Sequence, residues 1–456
     1  MNPTGIYHRL PYPLKVAAAT IWGGYLNWWR YSKHTEAAVD EALEKDTWHR
    51  ERIEAWQEEK LAKLLSIAAA EVPYYSNYWQ SQRRIGNRSS IEVLKNWPVL
   101  RKEIVRENPQ LFKTQSRKLF YREHTSGTTG SPLVLWQSRS TLQAWYSLFE
   151  ARIRRWNDLN RSDRWGMLGG QLVTPFDRKD PPFWVWNQAS RQLYLSAYHL
   201  SEDTASAYAE AMHKHRLVYL LGYPSALTAL AEFALSKGIS LPKLKCVISN
   251  AEPLFDYQRK IIAHAFQTRI VNTYGMSELV CAASECSSGS MHLWPEAGLV
   301  EILAEESDTA EPEGSSGRII ATGLLNQDMP LIRYDTGDLG ALAHRDCPCG
   351  RQHPILGELV GRMDEMIITL DGRKIGRLDP VFKTDIPVRE AQIIQEDLYS
   401  IKVLLVPGLG YDHDSLLQQR LRERVGDMKI TIQQVREIPR GANGKFRAVI
   451  SHVKEP

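Results

Sequence analysis

The chain has 456 residues, of which 43% are hydrophobic and 24% are charged, close to the averages of globular proteins. This composition excludes the disordered, collagen-like and coiled-coil classes. The formal net charge is +4 without a dense basic stripe, so no nucleic-acid partner is indicated. Five cysteines exclude a disulfide scaffold and favour a reducing, cytoplasmic compartment. At roughly 150 residues per domain, the length predicts about three units, or one large domain with appendages.

The N-terminal segment contains an apolar stretch from Val16 to Trp29. It is 14 residues long, whereas a membrane-spanning helix needs about 20. The stretch contains the pair Gly23-Gly24 and three tryptophans. We expect a helix and a turn that pack on the main domain. The alternative is a segment that touches a membrane surface, because Trp and Tyr favour the depth of the lipid headgroups.

Helical and strand patterns follow one another along the rest of the N-terminal half. Apolar residues at three- and four-residue spacing predict helical structure over 36–70, which Pro73 ends, so that 1–75 forms a helical segment. Beyond it, strands alternate with helices, which predicts an α/β core with a largely parallel sheet. The predicted helices are 139–157, 202–215, 225–237 and 255–267, and the predicted strands are 133–136, 217–221, 245–249, 269–272 and 318–322.

The composition changes late in the chain, since all 14 tryptophans lie at or before Trp294. After Gly361, short strand patterns alternate with one helical pattern, in the order MIITL, AQIIQ, IKVLLVP, HDSLLQQRLRERV and ITIQQVREI. A segment of roughly 95 residues is long enough for a small α+β domain with its own core. We therefore expect an N-terminal domain over 1–361 and a C-terminal domain over 362–456.

The strongest local signal is HTSGTTGSPLVLW, which runs from His124 to Trp136. Such a loop exposes backbone N–H groups and hydroxyls that can surround an oligophosphate. It is not a Walker loop, because the Gly-Lys-Ser/Thr ending is missing. A flexible linker is the alternative, which the strand-like run directly after the loop disfavours. The loop residues are Thr125, Ser126, Gly127, Thr128, Thr129 and Gly130.

This loop and four later motifs resemble, in the same order, those of the adenylate-forming ligases, the acyl- and aryl-CoA synthetase superfamily. The later motifs are YGMSE at 274–278, YDTGD at 334–338, GRMDE at 361–365 and PRGANGKFR at 439–447. With NAEP at 250–253 and the earlier VPYY, the chain resembles the phenylacetate–coenzyme A ligase family, in particular its CapK-type capsular-polysaccharide branch. The resemblance covers nearly the whole chain. It implies a large N-terminal α/β domain and a small mobile α+β C-terminal domain, hinged near Asp364.

The resemblance implies three catalytic residues, Thr128 in the phosphate loop, Glu278 and Lys445. Glu278 would hold Mg²⁺, a hard cation that prefers carboxylate and phosphate oxygens. Lys445 would reach the α-phosphate and the substrate carboxylate as a point charge on a long stem. Charge builds on phosphate oxygens during adenylation, so catalysis rests on positioning and electrostatic stabilisation.

The resemblance also implies a site for ATP and AMP. Ser277 would contact the AMP phosphate and Tyr274 would present its ring to adenine. Asp338 would accept hydrogen bonds from the ribose hydroxyls, with Arg362 donating nearby. The phosphate loop and Lys445 belong to the same site. Its remaining residues are Ala251, Glu252, Pro253, Gly275, Met276 and Glu278.

Two positions depart from the family pattern. Ser131 stands where the family often has Lys, so one cation near the pyrophosphate leaving group is missing. The missing positive charge must come from a metal ion or from another basic residue. Asn250 stands where the family often has Gly, and its bulk narrows the adenine site or reaches into the acyl pocket.

Four cysteines lie between Cys281 and Cys349. A closed tetrahedral Cys₃His site is a usual structural zinc site, and members of the resembled family share this arrangement. Cys281 and His353 compete as ligands, and buried free thiols with a surface histidine are the alternative. The resulting zinc-binding insertion lies around 281–353, and its predicted ligands are Cys286, His292, Cys347 and Cys349.

The family places the acyl group between the GYPS, NAEP and YGMSE segments. Core packing is the alternative for the aromatic candidates, and the identity of the acid stays open. The candidate substrate residues are Tyr223, Ser225, Asn250, Met276, Trp184, Trp186, Tyr194 and Tyr198.

The sequence therefore predicts an ATP-dependent, AMP-forming ligase that activates a carboxylic acid and transfers it to coenzyme A. One alternative acceptor is an amine or a hydroxyl, in cell-envelope polysaccharide or natural-product biosynthesis. A further alternative is a non-catalytic zinc-bearing binding protein, which the intact Glu278 and Lys445 disfavour. The oligomeric state, monomer or homodimer, stays open.

Overall fold

The computed structural model of the chain describes residues 7–115, 119–124, 133–171, 173–175, 177–312, 314–343, 345–362, 366–370, 374–375, 379–382, 386–408, 410–441 and 446–453.

The α-helices of the described residues are α1 (Tyr12–Arg30), α2 (Thr35–Lys45), α3 (Arg50–Glu71), α4 (Pro73–Arg84), α5 (Lys102–Glu107), α6 (Arg139–Phe149), α7 (Ala205–Lys214), α8 (Pro224–Lys237), α9 (Asp256–Phe266) and α10 (Asp414–Val425). Short 3₁₀ or π segments cover Leu94–Asn96, Pro109–Phe112, Glu150–Arg154, Arg155–Asn157, Ala197–His199 and Asp379–Phe382.

The strands are β1 (Phe120–His124), β2 (Val134–Ser138), β3 (Trp165–Gly169), β4 (Trp184–Asn187), β5 (Gln192–Ser196), β6 (Tyr219–Gly222), β7 (Cys246–Ser249), β8 (Ile270–Gly275), β9 (Ala282–Glu285), β10 (Met291–Leu293), β11 (Gly298–Leu303), β12 (Gly317–Gly323), β13 (Tyr334–Ala343), β14 (Ile355–Arg362), β15 (Ile367–Ile368), β16 (Lys374–Ile375), β17 (Val388–Asp397), β18 (Ser400–Pro407), β19 (Lys429–Gln434) and β20 (Val449–Ser451).

A mixed sheet of twelve strands forms the centre of the large domain, in the order β11-β12-β13-β14-β10-β9-β8-β7-β6-β3-β5-β4. β5, β3, β6, β7 and β8 pair in parallel, and the remaining neighbours are antiparallel. The prediction of a largely parallel sheet therefore holds for these middle strands and is wrong for the sheet as a whole. The predicted α/β class is confirmed.

The parallel strands place the candidate site. Parallel neighbours need crossover connections, here supplied by α8 between β6 and β7 and by α9 between β7 and β8. The carboxyl ends of β6, β7 and β8, at Gly222, Ser249 and Gly275, consequently lie along one edge. Ligands of open α/β sheets bind at this edge. The GYPS, NAEP and YGMSE segments continue from these three strand ends.

The N-terminal segment is helical, as expected, but two details differ. α1 continues through Gly23-Gly24, so the expected turn is wrong. A side-chain carbon at Gly23 would lie 2.2 Å from Asn187 Oδ1, and glycine allows this close approach of α1 to β4. The helical pattern over 36–70 forms two helices, α2 and α3. No helix in the described ranges is both long and apolar enough to cross a membrane.

The end of the chain forms a separate four-stranded sheet in the order β19-β18-β17-β20, with α10 packed on it. Its core contains Ile393, Val403, Leu417 and Leu421. β14, which ends at Arg362, belongs to the large sheet instead. A smaller α+β domain is therefore confirmed. The boundary at 361/362 remains a prediction, and Asp364 lies outside the described residues.

Candidate active site and metal centre

A cavity of about 1640 Å³ opens at the carboxyl ends of the parallel strands, and the small C-terminal domain contributes to its wall. Glycine-rich and polar turns line it on one side and aromatic side chains on the other. The nucleotide-site residues predicted from the sequence that line it are Ala251, Glu252, Pro253, Tyr274, Gly275, Met276, Ser277, Glu278 and Asp338. The fold thus brings together segments that are 87 residues apart in the sequence, from Ala251 to Asp338.

Some predicted residues lie outside the described part of the chain. They are the phosphate-loop residues Thr125, Ser126, Gly127, Thr128, Thr129 and Gly130, together with Lys445. The residues that flank these two segments in the sequence, His124 and Phe446, both line the cavity. The backbone of Arg362 pairs with Asp338 between β13 and β14, which places it near the predicted ribose position.

Glu278 is held by two donors inside the large domain. Its Oε1 accepts hydrogen bonds from Lys102 Nζ and from the Tyr334 hydroxyl, both at 2.9 Å. Only 5% of the Glu278 side chain is exposed, so its charge needs these partners. Lys102 begins α5 and was not predicted as a site residue, since nothing near it in the sequence indicates phosphate chemistry. A cation therefore lies beside the predicted magnesium ligand.

Tyr274 and Asp338 contact each other across the site. The Tyr274 hydroxyl donates a hydrogen bond to Asp338 Oδ2 at 2.8 Å. Burial, followed by the charge of Asp338, holds the pKa of Tyr274 well above its usual range, so the phenol stays protonated as a donor. The hydrogen bond fixes the position of the Asp338 carboxylate.

Glu252 connects the two domains. Its Oε2 accepts a hydrogen bond from the Ser225 backbone N–H at 3.0 Å, and its Oε1 accepts one from the Ser225 hydroxyl at 3.1 Å. Oε1 also accepts the backbone N–H of Phe446 at 2.6 Å. Burial raises the pKa of Glu252, and these donors oppose the rise. Phe446 directly follows Lys445, so Glu252 contacts the segment that carries the predicted catalytic lysine.

The turn after β7 offers an unsatisfied acceptor to a ligand. Asn250 Oδ1 is buried and has no hydrogen-bond partner among the described residues. Asn250 lines the cavity, and Ala251 beside it adopts a left-handed backbone with φ of 66°. Strained backbone of this kind clusters at ligand sites. An adenine amino group would satisfy the amide oxygen, so the residues present fit ATP.

The aromatic end of the cavity differs from the predicted substrate pocket. Of the eight candidate substrate residues, only Asn250 and Met276 line the cavity. Ser225 binds Glu252, and Tyr223 lies against the Gly169 position. Trp184 packs on Tyr208 with ring centroids 6.0 Å apart, and Tyr198 lies in the short segment Ala197–His199.

Helices α1 and α6, together with Tyr121 of β1, supply the aromatic wall instead. A side-chain carbon at Gly275 would lie 3.8 Å from Trp145, so this wall begins directly beside the YGMSE turn. The sequence alone could not show it, because α1 lies more than a hundred residues from α6. The side chains of this wall are Leu26, Trp29, Arg30, Tyr121, Leu142, Trp145, Tyr146 and Phe149.

The predicted metal ligands Cys286, His292, Cys347 and Cys349 converge at one point, their ligand atoms all within 4.8 Å of one another. Cys286 Sγ lies 3.6 Å from Cys347 Sγ, and Cys349 Sγ lies 3.3 Å from His292 Nε2. Burial raises the pKa of Cys347, but hydrogen bonds from Ser290, Cys349 and His292 outweigh burial and bring it to about 6. This donor set fits a tetrahedral Zn²⁺.

The two competing ligands lie elsewhere. Cys281 is buried in the core beside Tyr274. His353 contributes its carbonyl oxygen, which lies 3.3 Å from His292 Nδ1 and thereby orients the imidazole. Such outer partners fix the tautomer of a metal-binding histidine.

Comparisons with known proteins agree with this geometry. Residues 35–323 match the model of the AMP-binding enzyme family, and residues 367–452 match the CapK C-terminal domain. A phenylacetate-coenzyme A ligase of Thermus thermophilus is 25% identical, over 89% of this chain and 98% of its own length. Protein CapK of Staphylococcus aureus is 23% identical, over 98% of this chain and 99% of its own.

The fold also resembles a solved structure. A 2-hydroxyisobutyryl-CoA ligase in its postadenylation state gives a TM-score of 0.70 at 18% identity and covers 90% of this chain and 91% of its own. With the family model matched over more than half of its length, the chain belongs to the AMP-binding enzymes and is an adenylate-forming ligase that carries a CapK C-terminal domain.

Proposed function

We propose that the protein activates a carboxylic acid as an acyl-adenylate and transfers the acyl group to coenzyme A. In the first step a carboxylate oxygen attacks the α-phosphorus of ATP, and the bond to the bridging oxygen breaks to release pyrophosphate. In the second step the thiol sulfur attacks the acyl carbon, AMP leaves, and the thiol proton passes to solvent. The observation that carries this proposal is the single cavity shared by the Asn250–Pro253 turn, Glu278 and Asp338.

The charges of the site support the first step. When bound, Mg²⁺ would neutralise phosphate oxygens, and Glu278 would hold it. Lys102 lies 2.9 Å from Glu278 and offers the cation that Ser131 does not supply. A positioned cation near a leaving phosphate is worth more in a closed site than in water. Lys445 would add a second charge on the α-phosphate side.

Coenzyme A is the proposed acceptor because the relatives named phenylacetate-coenzyme A ligase align over most of the chain. An amine or hydroxyl acceptor in cell-envelope polysaccharide biosynthesis is the second candidate. It is favoured by the match to Protein CapK over nearly the full length and by the CapK C-terminal domain. The two candidates share the adenylation step and differ only in the second.

An acid panel tests the proposal. Purified protein with Mg-ATP and each acid is assayed for ATP–pyrophosphate exchange, and active acids are then offered coenzyme A or amines. We expect exchange with at least one acid and its loss in Glu278→Gln, which keeps the shape of the side chain but removes its charge. An amide product without a thioester would favour the second candidate. Absence of exchange with every acid would contradict the proposal.

We further propose that the cluster Cys286, His292, Cys347 and Cys349 holds a structural Zn²⁺. Its four side chains leave no open coordination position, so the metal would not take part in the chemistry. The cluster joins β9, β10 and the 345–353 loop. When bound, the metal would fix these segments behind the active site.

We propose peripheral contact of α1 with the cytoplasmic face of a membrane. Ile21, Trp22 and Trp28 on its outer side are 76%, 54% and 47% exposed. Arg9 and Lys33 are exposed near its ends, and residues 7–35 contain no acidic residue. Interfacial helices combine aromatic side chains with basic flanks in this way.

Co-sedimentation with vesicles tests this contact. The protein should pellet with phosphatidylglycerol-containing vesicles more than with pure phosphatidylcholine, and a Trp22→Ser/Trp28→Ser variant should stay in solution. Leu235→Ser is a matched control, because it removes another exposed apolar side chain on α8. Equal pelleting of all three proteins would contradict the contact.

A further inference from the structure

The aromatic end of the cavity contains a positive charge that the adenylation chemistry does not use. Arg30 is the last residue of α1 and lines the cavity. Its guanidinium carbon lies 4.4 Å from the ring centroid of Tyr146, which faces it from α6. The guanidinium is part of the wall that would surround the tail of an acyl substrate.

Among the described residues, Arg30 has no close counter-ion. The described residues form no ion pair with Arg30 within 4.0 Å. Apart from burial, tyrosines dominate its electrostatic surroundings, with Tyr146, Tyr194 and Tyr121 among them. Glu123 is an acidic neighbour: burial raises its pKa, and a backbone hydrogen bond from His124 and the charge of Arg30 lower it. A charge without a close counter-ion in a largely buried position is unfavourable in free energy. A bound anion would offset that desolvation cost.

Helix α6 connects Arg30 to the end of the cavity where the substrate carboxylate would react, because it contacts both. Trp145 contacts the Gly275 position, beside the turn that would hold the reacting carboxylate. Tyr146 is the next residue along α6, and Arg30 lies over its ring. A substrate whose carboxylate reacts near Gly275 would therefore pass Trp145 and direct its far end toward Arg30.

We infer that the acid activated by this protein carries a second anionic group at the end of its tail, as in a dicarboxylic acid, and that Arg30 selects it. The inference rests on the proposed adenylation and specifies its substrate class. Arginine matches a carboxylate with two parallel hydrogen bonds, which neither lysine nor an apolar side chain can do. Glu123 beside it would disfavour an acid with an additional negative charge.

Exchange assays with paired acids test the inference. Each pair has the same length and differs only in a terminal carboxylate, such as hexanoate with adipate and 4-methylphenylacetate with 4-carboxyphenylacetate. The wild-type kcat/KM should be higher for the diacid by about 10- to 100-fold, the scale of a charge-assisted hydrogen bond. Arg30→Met should abolish this ratio, and Arg30→Lys should restore part of it.

Controls separate selection from folding. Arg139→Met removes a guanidinium stacked on Trp28 at 4.2 Å but outside the cavity, and its diacid ratio should equal that of the wild type. Arg30→Met should keep the wild-type affinity for Mg-ATP. Exchange that prefers the monoacids, with a ratio unchanged in Arg30→Met, would overturn the inference and leave the proposed function intact. Exchange with no acid of either kind would overturn both.

Discussion

The buried carboxylate of Glu278 is stabilised by two hydrogen-bond donors that contact the same oxygen. Lys102 and Tyr334 both lie 2.9 Å from Oε1. Lys102 comes from α5, 176 residues earlier in the chain, and its side chain is partly exposed to the cavity. The same ammonium can face the carboxylate in the free protein and a phosphate chain in the complex.

We therefore predict that Lys102→Met lowers kcat for ATP–pyrophosphate exchange by about 10²-fold, the scale for one positioned electrostatic group. The KM for the acid should change little, because Lys102 lies on the nucleotide side. Lys102→Arg, which keeps the charge, should recover part of the rate. Steady-state kinetics with varied Mg-ATP check this. A variant as active as the wild type would show that Lys102 only neutralises Glu278.

Glu252 gives a second prediction at the residue scale. Its carboxylate accepts the Phe446 N–H next to Lys445, so it should hold the lysine segment in place for adenylation. Glu252→Ala should slow exchange by about tenfold, the scale of a lost charge-assisted hydrogen bond. Ser225→Ala removes only the partner within the large domain and is the matched control. Equal effects of the two substitutions would assign Glu252 a role in the large domain alone.

Single residues differ in how well the sequence predicts them. The ordered motifs identify Tyr274 and Glu278 through YGMSE and Asp338 through YDTGD, and all three residues line the cavity. Lys102 and Arg30 lie in no such pattern. Their positions follow from the packing of α5 and α1 against distant strands and helices, which local spacing does not encode.

At the scale of elements, the metal cluster joins β9 and β10 to the loop before β14. We predict about one Zn²⁺ per chain, as one closed Cys₃His site requires. Cys347→Ser should lower the zinc content and the melting temperature together, because metal binding is coupled to folding. Cys246→Ser is the control, since this free cysteine lies in β7 away from the cluster. Full zinc retention in Cys347→Ser would show that other ligands hold the metal.

The small C-terminal domain carries the next prediction. If it reorients between the two steps, Lys445→Ala should slow adenylation by about 10²-fold or more and spare acyl transfer from a pre-formed acyl-adenylate. Asp364→Pro fixes one backbone angle near the predicted hinge and should do the reverse. Chemically made acyl-AMP, supplied to each variant, separates the steps. Equal damage to both steps by Lys445→Ala would show that the domain acts in one fixed orientation.

Secondary-structure elements were predictable where apolar residues recur with a strong helical period. The predicted helices 225–237 and 255–267 agree with α8 and α9 to within one residue at each end. The turn expected in the N-terminal segment was wrong. Glycine has a low helix propensity, but α1 continues through Gly23-Gly24 because Gly23 allows its close contact with Asn187. In the antiparallel part of the large sheet only β12 was predicted, as 318–322, because these strands lack the intervening helices that would mark them.

At the scale of the whole molecule, three parts of the chain close one cavity. The parallel strands supply the nucleotide turns, α1 and α6 supply the aromatic wall, and the C-terminal domain contributes Gln392, Arg440 and Phe446. The fold class and the reaction type follow from the sequence. The substrate end does not, because it is assembled from helices that are distant in the chain and carry no shared motif.

The most direct test of the central claim follows an oxygen atom. An active acid labelled with ¹⁸O in its carboxylate is incubated with Mg-ATP and coenzyme A, and the nucleotide and phosphate products are analysed by mass spectrometry. Attack of the carboxylate on the α-phosphorus predicts pyrophosphate without label and AMP that carries one ¹⁸O. Formation of ADP, with the label in inorganic phosphate, would contradict adenylation at this site.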